Sequence, residues 1–343
     1  MKAVVKTREA PGAELLDVDI PDIGRKDVLV KVKAAAICGS DINIYCWNSY
    51  AQGRVKPPLI FGHEMCGEVV EIGTHVTSIE KGDIVAVETH ISCGTCHPCR
   101  TGAPHLCQNV VIFGVGTDGA FAEYARVPEV CCWKLPRDIS YDLGAILEPL
   151  GVAVHGVLVD DVNGKSVAVF GCGPIGLFAV GAAAAFGATK TFALEVAPQR
   201  LAMAHQLAPD AILINPKEQN PVTAIMEATD GLGVDVAIEL SGSAEATNQA
   251  LKVLGRRGRI SLVGVPKGPI EMNIYKDVIT KEAKILGVWG RIMWQTWWQV
   301  QNLLSMDKFD PLSVVTHRFP LADYAQALEL AANHEGGKIL LYP

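Results

Sequence analysis

The sequence of 343 residues has no block of basic residues and no long uninterrupted apolar run. Acidic residues outnumber basic ones by 37 to 30, and the net charge of −7 argues against a nucleic-acid partner. Without a polybasic segment, an anionic membrane is not an expected partner either. The longest apolar stretch, residues 174–189, is interrupted by glycines and is too short to cross a bilayer. Because the amino terminus also lacks the apolar core of a signal peptide, we expect a cytoplasmic protein.

Disulfide bonds are not expected among the ten cysteines, because that compartment is reducing. Four of them, Cys93, Cys96, Cys99 and Cys107, follow C-x2-C-x2-C-x7-C in a stretch rich in Gly and Pro turns. Such thiolates can converge on one tetrahedral Zn(II), although an iron–sulfur cluster is the alternative because ferredoxin loops use similar spacing. Since four thiolates leave no open coordination position, this zinc would be structural and the chemistry would occur elsewhere.

The pattern of the sequence changes near Gly164. Upstream, alternating stretches such as 28–37, 67–73 and 83–90 predict an irregular, β-rich region. Downstream, strands alternate with helices, which is typical of a parallel sheet covered on both faces. Strands are predicted at 166–170, 191–195, 211–215, 234–240, 258–265 and 284–290, and helices at 171–188 (after a turn), 198–208, 221–229, 244–254, 293–305 and 321–333.

A glycine-rich motif lies between the first of these strands and its helix. Gly171, Gly173 and Gly176 form G-x-G-x-x-G, with Pro174 and Ile175 inside it. In this context the three glycines permit a tight turn, a close approach of a pyrophosphate and close packing of helix on strand. The helix would then present unpaired N–H groups to the phosphates, so the motif predicts a dinucleotide site.

Glu195 ends the next predicted strand, where an acid hydrogen-bonds the adenosine ribose and repels a 2′-phosphate. Arg200 could accept such a phosphate, which leaves NADP as the alternative. We favour the interpretation that Arg200 is solvated on its helix or stacks on the adenine. We therefore predict NAD.

A second set of metal ligands is separated along the chain. Cys38, His63, Glu64 and Glu148 contribute one thiolate, one imidazole and two carboxylates. Cys, His and one carboxylate make a three-ligand site with an open position, as in catalytic zinc, which makes a bound alcohol more acidic. The spacing does not determine which glutamate is the inner ligand. Together with the dinucleotide motif, this combination is far more specific than any one of these residues alone.

The stretch GHEMCGEVVEIGTHV (62–76) and the cysteine cluster resemble the medium-chain, zinc-containing dehydrogenases, and the resemblance covers essentially the whole chain. It implies an α/β protein with a GroES-like β-rich catalytic domain and a doubly wound Rossmann domain. It also implies a homotetramer with two zinc ions per subunit, and an enzyme that transfers a hydride from a secondary alcohol to NAD+. We therefore expect the catalytic domain over 1–152, the Rossmann domain over 153–290, and a segment 291–343 that returns to the catalytic domain.

The same resemblance implies a proton relay from the substrate. Ser40 occupies the position of the family's Thr or Ser that begins the relay, and His90 lies where a His flanks the active site in some members. Asn43 replaces a His that can receive the proton, and it can only orient a hydroxyl or a water. The relay is thus expected to end at His90, or to run from Ser40 through the nicotinamide ribose to solvent.

Within the family, the chain is most similar to the subgroup that oxidises L-threonine. Asn43, Val152 and Gln295 depart from that subgroup and remove polar or ionisable groups near the expected substrate, a small secondary alcohol. A polyol, a sugar acid or another vicinal secondary alcohol is therefore the alternative substrate. The similar stretches are IYCWNSYAQGRVKPP (44–58), ETHISCG (88–94), GRIMWQTW (290–297) and VVTHRF (314–319).

Two further alternatives are a non-catalytic, NAD-binding structural protein and a metal-free quinone reductase. The presence of all four candidate ligands argues against both.

An oligomer is predicted because four tryptophans crowd the segment beside the last predicted strand, and an open sheet edge favours two-fold strand pairing. They are Trp289, Trp294, Trp297 and Trp298.

Overall fold

The computed structural model describes residues 1–334 and 336–343. The chain forms two compact units, Met1–Glu148 with Val315–Pro343, and Pro149–Val314. The predicted boundary at residue 291 was wrong, because the return to the first unit begins only at Val315. Residues 291–314 stay in the second unit, where Arg291 and Thr296 lie against Gly151 and Phe309 lies against Gly181.

Strands and helices of the described residues are numbered in chain order. The strands are β1 (Lys2–Lys6), β2 (Glu14–Asp17), β3 (Asp27–Ala36), β4 (Leu59–Ile60), β5 (Glu64–Ile72), β6 (Ile84–Val87), β7 (His90–Ile91), β8 (Val111–Ile112), β9 (Tyr124–Pro128), β10 (Cys132–Leu135), β11 (Ser166–Phe170), β12 (Lys190–Leu194), β13 (Ile212–Ile214), β14 (Val234–Glu239), β15 (Leu254–Leu262), β16 (Lys284–Gly287), β17 (Val315–Pro320) and β18 (Lys338–Tyr342). The helices are α1 (Gly39–Cys46), α2 (Ser49–Gln52), α3 (His97–Arg100), α4 (Tyr141–Ala145), α5 (Leu147–Leu158), α6 (Pro174–Ala185), α7 (Pro198–Leu207), α8 (Pro221–Ala228), α9 (Ala244–Val253), α10 (Gln295–Ser305) and α11 (Tyr324–Ala332).

The first unit is built on a seven-stranded sheet with the order β10-β6-β5-β3-β18-β17, in which β9 also pairs with β3. Three further strands form a separate sheet with the order β2-β1-β4. The register places Ala36 at the end of β3 opposite Glu64 on β5 and opposite Leu340 on β18. Three segments that are distant in sequence therefore meet where β3 ends.

The second unit contains six parallel strands in the order β13-β12-β11-β14-β15-β16. Numbered within the unit, this is the order 3-2-1-4-5-6 of a Rossmann sheet, with the switch point at β11. The predicted alternation of strands and helices is confirmed, although β15 begins at Leu254 rather than at 258. Among the described residues no helix has the length and apolarity needed to cross a membrane.

Candidate active site

The strand register assembles one cluster of potential metal ligands. Cys38 follows the end of β3, and His63 directly precedes Glu64 at the start of β5. Since Ala36 pairs with Glu64, both loops leave the sheet at the same place. One ligand atom each from Cys38, His63 and Glu64 lies within 4.8 Å of the other two. Sequence reasoning named these three residues, and the structure brings them together.

Asp41 supports this cluster from helix α1. Its buried Oδ2 accepts a hydrogen bond from the backbone N–H of Cys38 at 2.8 Å, and its Oδ1 lies 3.5 Å from Nδ1 of His63. Burial lowers the pKa of His63, but the Asp41 and Cys38 charges outweigh it and raise that pKa well above its ordinary value. The cluster thus attracts positive charge. With soft thiolate, imidazole and carboxylate donors, its residues fit a zinc ion.

Lys338 is a residue of this cluster that sequence reasoning missed. It lies on β18, and both its side chain and that of Glu64 are buried. Nζ of Lys338 donates to the carbonyl of Ile37 at 2.9 Å and to Oε1 of Glu64 at 2.6 Å, and it also contacts Oε2. Burial raises the pKa of Glu64, Lys338 opposes this shift, and the nearby charge of Glu148 adds to it. Lys338 therefore compensates the charge of Glu64 before any metal binds.

Glu148 approaches the cluster from the start of α5. It is buried, and the Thr89 hydroxyl lies 3.5 Å from its Oε1. Among the described residues, the tight group contains Cys38, His63 and Glu64 but not Glu148. Both glutamates stay candidates for the inner carboxylate ligand, and Glu64 is the one that lies in direct contact with Lys338.

The three predicted relay residues lie in different surroundings. Oγ of Ser40 is buried and has no hydrogen-bond partner among the described residues, as expected for a group that waits for a ligand. Oδ1 of Asn43 accepts a hydrogen bond from Nδ2 of Asn48 at 2.7 Å. Asn43 thus ties helix α1 to the start of α2, a local role that the sequence did not suggest.

His90 is buried and pairs with Glu88, which sequence reasoning also missed. Oε1 of Glu88 lies 2.6 Å from Nδ1 of His90 and accepts the backbone N–H of His90 at 3.0 Å. The spacing Glu-x-His was the available signal, because alternate residues of an extended segment share a face. Thr89, between them, is the residue that contacts Glu148.

The four-cysteine cluster forms a second potential metal site. One sulfur each from Cys93, Cys96, Cys99 and Cys107 lies within 4.8 Å of the others, and all four are free thiols. The Cys96 sulfur lies 3.4 Å from that of Cys99 and 3.7 Å from that of Cys107. Sulfurs about 2.3 Å from a tetrahedral zinc lie roughly 3.8 Å apart, so this spacing fits Zn(II) and not a disulfide.

The glycine motif has the geometry of a phosphate cradle. Gly171 has a φ of +92°, and Gly173 is the N-cap of α6. A Cβ on Gly176 would lie 1.9 Å from the carbonyl oxygen of Gly171, whereas a Cβ on Gly173 would meet nothing within 4 Å. The helix therefore packs tightly at Gly176 and leaves open space in front of its first N–H groups, where a pyrophosphate fits.

Glu195 closes this loop. Its Oε2 accepts the N–H of Cys172, inside the glycine motif, at 3.0 Å, and its Oε1 accepts the N–H groups of Val196 and Ala197 at 2.8 and 3.1 Å. The carboxylate is thus fixed between the end of β12 and the loop. Arg200 follows on α7 and is half-buried.

Comparison with known proteins agrees with this geometry. Residues 24–137 match the family described as "Alcohol dehydrogenase GroES-like domain", and residues 174–305 match "Zinc-binding dehydrogenase". An L-threonine 3-dehydrogenase from Caldanaerobacter subterraneus subsp. tengcongensis is 46% identical over 344 residues, which span 100% of this chain and 99% of that protein.

Solved structures agree as well. A putative zinc-binding dehydrogenase from Sinorhizobium meliloti, bound to NADP, has a TM-score of 0.92 at 30% identity. The 2R,3R-butanediol dehydrogenase from Bacillus subtilis has a TM-score of 0.90 at 31% identity. Each comparison covers 100% of this chain and 99% of the other. The chain belongs to the zinc-binding alcohol dehydrogenase family. It is a zinc-dependent oxidoreductase that uses a nicotinamide dinucleotide to oxidise an alcohol.

Proposed function

We propose that this dehydrogenase oxidises the 3-hydroxyl group of L-threonine with NAD+ and yields 2-amino-3-oxobutanoate. The observation that carries the proposal is the full-length similarity, at 46% identity, to a protein named L-threonine 3-dehydrogenase. The cluster at Cys38, His63 and Glu64 supports the alcohol chemistry. A polyol, a sugar acid or a vicinal diol is the second candidate, because Asn43, Val152 and Gln295 depart from the pattern of the threonine enzymes.

Cys38 and His63, with Glu64 or Glu148, would hold a zinc ion, which supplies a Lewis acid that lowers the pKa of the substrate hydroxyl. The Asp41 carboxylate faces Nδ1 of His63 at 3.5 Å, which favours a proton on that nitrogen and leaves the other ring nitrogen for the metal. The buried Ser40 hydroxyl, which has no hydrogen-bond partner among the described residues, would accept the substrate proton while it donates its own proton onward. Once the hydroxyl oxygen has lost its proton, the carbon that bears it would give its hydride to bound NAD+, so that the alcohol becomes a ketone and NAD+ becomes NADH.

The proton must then leave the site. Oε1 of the buried Glu88 lies 2.6 Å from Nδ1 of His90, so this carboxylate would stabilise the imidazolium that forms when His90 takes the proton. We propose this route through His90 over direct release from Ser40 through the cofactor ribose. Asn43 does not titrate, and its amide is engaged by Asn48.

The discriminating experiment is a substrate panel with the purified, zinc-loaded protein and NAD+, in which NADH formation is followed. We expect kcat/KM for L-threonine to exceed that for 2R,3R-butanediol and for polyols by about a hundredfold, because a site built for charged groups rejects analogues that lack them. Faster turnover of a diol, a polyol or a sugar acid than of L-threonine would contradict the proposal and support the second candidate.

We also propose NAD+ rather than NADP+ as the cofactor, since the carboxylate of Glu195 is held at the glycine loop. Glu195→Ala should weaken the binding of NAD+ by about tenfold or more, because hydrogen bonds to a charged group are lost. The binding of NADP+ should be weakened less, because the charge that repels its 2′-phosphate is lost as well. The ratio of the two kcat/KM values measures this. Glu227→Ala, at an exposed position of the same unit, is the control. An unchanged ratio would mean that Glu195 does not face the ribose.

A homotetramer is our proposal for the assembly. Strand β16 is an edge of the described sheet, Trp289 follows it and is 52% exposed, Trp298 on α10 is 56% exposed, and Trp297 is buried. Exposed tryptophans next to an unpaired edge favour association of two copies. A monomer in light scattering would contradict this.

We further propose a cytoplasmic location, with which the free thiols of all ten cysteines are consistent.

A further inference from the structure

An amino-acid substrate presents a negative charge that a simple alcohol lacks. If L-threonine is the substrate, as proposed above, a cationic group should recognise its carboxylate near Cys38 and His63. Lys338 is a cation in direct contact with that cluster, but its Nζ donates to the carbonyl of Ile37 and to the two oxygens of Glu64. It is therefore not available to a substrate.

Arg54 is a cation with the opposite properties. It is exposed, and its guanidinium carbon lies 4.4 Å from the centroid of the Tyr50 ring. The one hydrogen bond of its side chain within the described part of the chain is a long one, from Nη1 to the carbonyl of Tyr50 at 3.4 Å, and no described carboxylate forms an ion pair with its guanidinium. Most of its N–H donors are thus available while stacking holds the group in place.

Tyr50 connects this arginine with the metal-ligand cluster. Asn48 caps α2 by accepting the N–H of Tyr50 at 3.0 Å, and its bond to Asn43 fastens α2 to α1, the helix that begins after Cys38. Burial raises the pKa of the Tyr50 phenol, and the charges of His63 and Cys38 act on it as well. Through the two hydrogen bonds of Asn48, the platform on which Arg54 lies is joined to the helix that begins directly after Cys38.

We propose that Arg54, held on the ring of Tyr50, binds the carboxylate of the amino-acid substrate and determines specificity for it. A planar guanidinium can donate two parallel hydrogen bonds to a carboxylate, which a lysine cannot do. Stacking reduces the freedom that the arginine must lose on binding, so recognition costs less entropy. The hydroxyl to be oxidised is then oriented by a contact at the other end of the substrate.

The test compares Arg54→Gln and Arg54→Lys on L-threonine and on 2R,3R-butanediol, which has no carboxylate. We expect Arg54→Gln to lower kcat/KM for L-threonine by about a hundredfold, mainly through KM, and to change the value for butanediol far less. Arg54→Lys should recover part of the loss, since it restores the charge without the fork. Tyr50→Leu should lower kcat/KM for L-threonine more than for butanediol, because the guanidinium loses the ring on which it stacks. Lys56→Gln, which removes an exposed cation two residues away, is the matched control.

The outcomes separate this inference from the proposed function. A wild-type enzyme that prefers butanediol to L-threonine would overturn the function, and the assignment of Arg54 with it. A wild-type preference for L-threonine that survives in Arg54→Gln would overturn the assignment alone. Equal losses on both substrates, or a loss as large in Lys56→Gln, would also overturn it. Thermal unfolding of each variant shows whether the fold is intact, and Arg54→Lys provides the reading if Arg54→Gln is unstable.

Discussion

Cys38→Ser is expected to abolish turnover and to leave NADH binding intact. Cys38 supplies the only thiolate of the cluster with His63 and Glu64, and a serine hydroxyl stays protonated and binds zinc poorly. A Lewis acid contributes several kcal/mol to such a reaction, and a loss of about 4 kcal/mol corresponds to roughly a thousandfold in rate. The glycine loop and Glu195 belong to the second unit, so the determinants of NADH binding are unchanged.

Zinc content and NADH affinity are the readouts that accompany activity. Mass spectrometry should show about one zinc ion per chain instead of two, and NADH fluorescence titration should give the wild-type Kd. Cys46→Ser is the matched control, because Cys46 is an exposed cysteine at the other end of the same helix, α1. A Cys38→Ser protein with wild-type activity, or with its full zinc content, would remove Cys38 from the metal site.

The parallel sheet was the part of the fold most accessible from sequence. Its strands are buried on both faces, so SVAVF (166–170) is a short apolar run, and all but its first residue are indeed buried. The second domain boundary was not accessible. The amphipathic pattern of α10 predicts a helix, but periodicity does not specify which unit covers the apolar face. The contacts of Gly151 with Arg291 and Thr296 decide this in the structure.

Some residues of the candidate site could likewise be predicted from the sequence, and others could not. Cys38, His63 and Glu64 could be named because their chemical types and short motifs identify metal ligands. Lys338 could not, since it is separated from Glu64 by 274 positions and meets it because β18 and β5 both pair with the end of β3. Arg54 was equally hidden, because an exposed arginine is ordinary until its stacking on Tyr50 is known. Pairings set by register or by side-chain packing carry little local signal.

Cys96→Ser is expected to destabilise the first unit without touching the reacting groups. Most residues between Cys93 and Cys107 are exposed or half-buried, so this segment has almost no apolar core of its own. Bound metal must then supply its folding free energy, since structural zinc sites contribute directly to stability. Loss of a metal is among the large single-site effects, and about 3 kcal/mol would lower Tm by roughly 8 °C in a domain of this size.

Calorimetry, zinc analysis and limited proteolysis together test Cys96→Ser. We expect one zinc ion fewer per chain, a lower Tm and new cleavage between Cys93 and Cys107, because a segment without its metal opens locally. His97→Ala is the matched control, since it changes the adjacent, exposed side chain and keeps all four thiolates. If the wild-type protein were found to contain iron and sulfide, the prediction of zinc would be wrong and this segment would hold an iron–sulfur cluster. Unchanged stability and protease resistance in a Cys96→Ser protein that has lost one zinc would show that packing, rather than the metal, holds this segment, since the binding free energy of the ion would then not be coupled to folding.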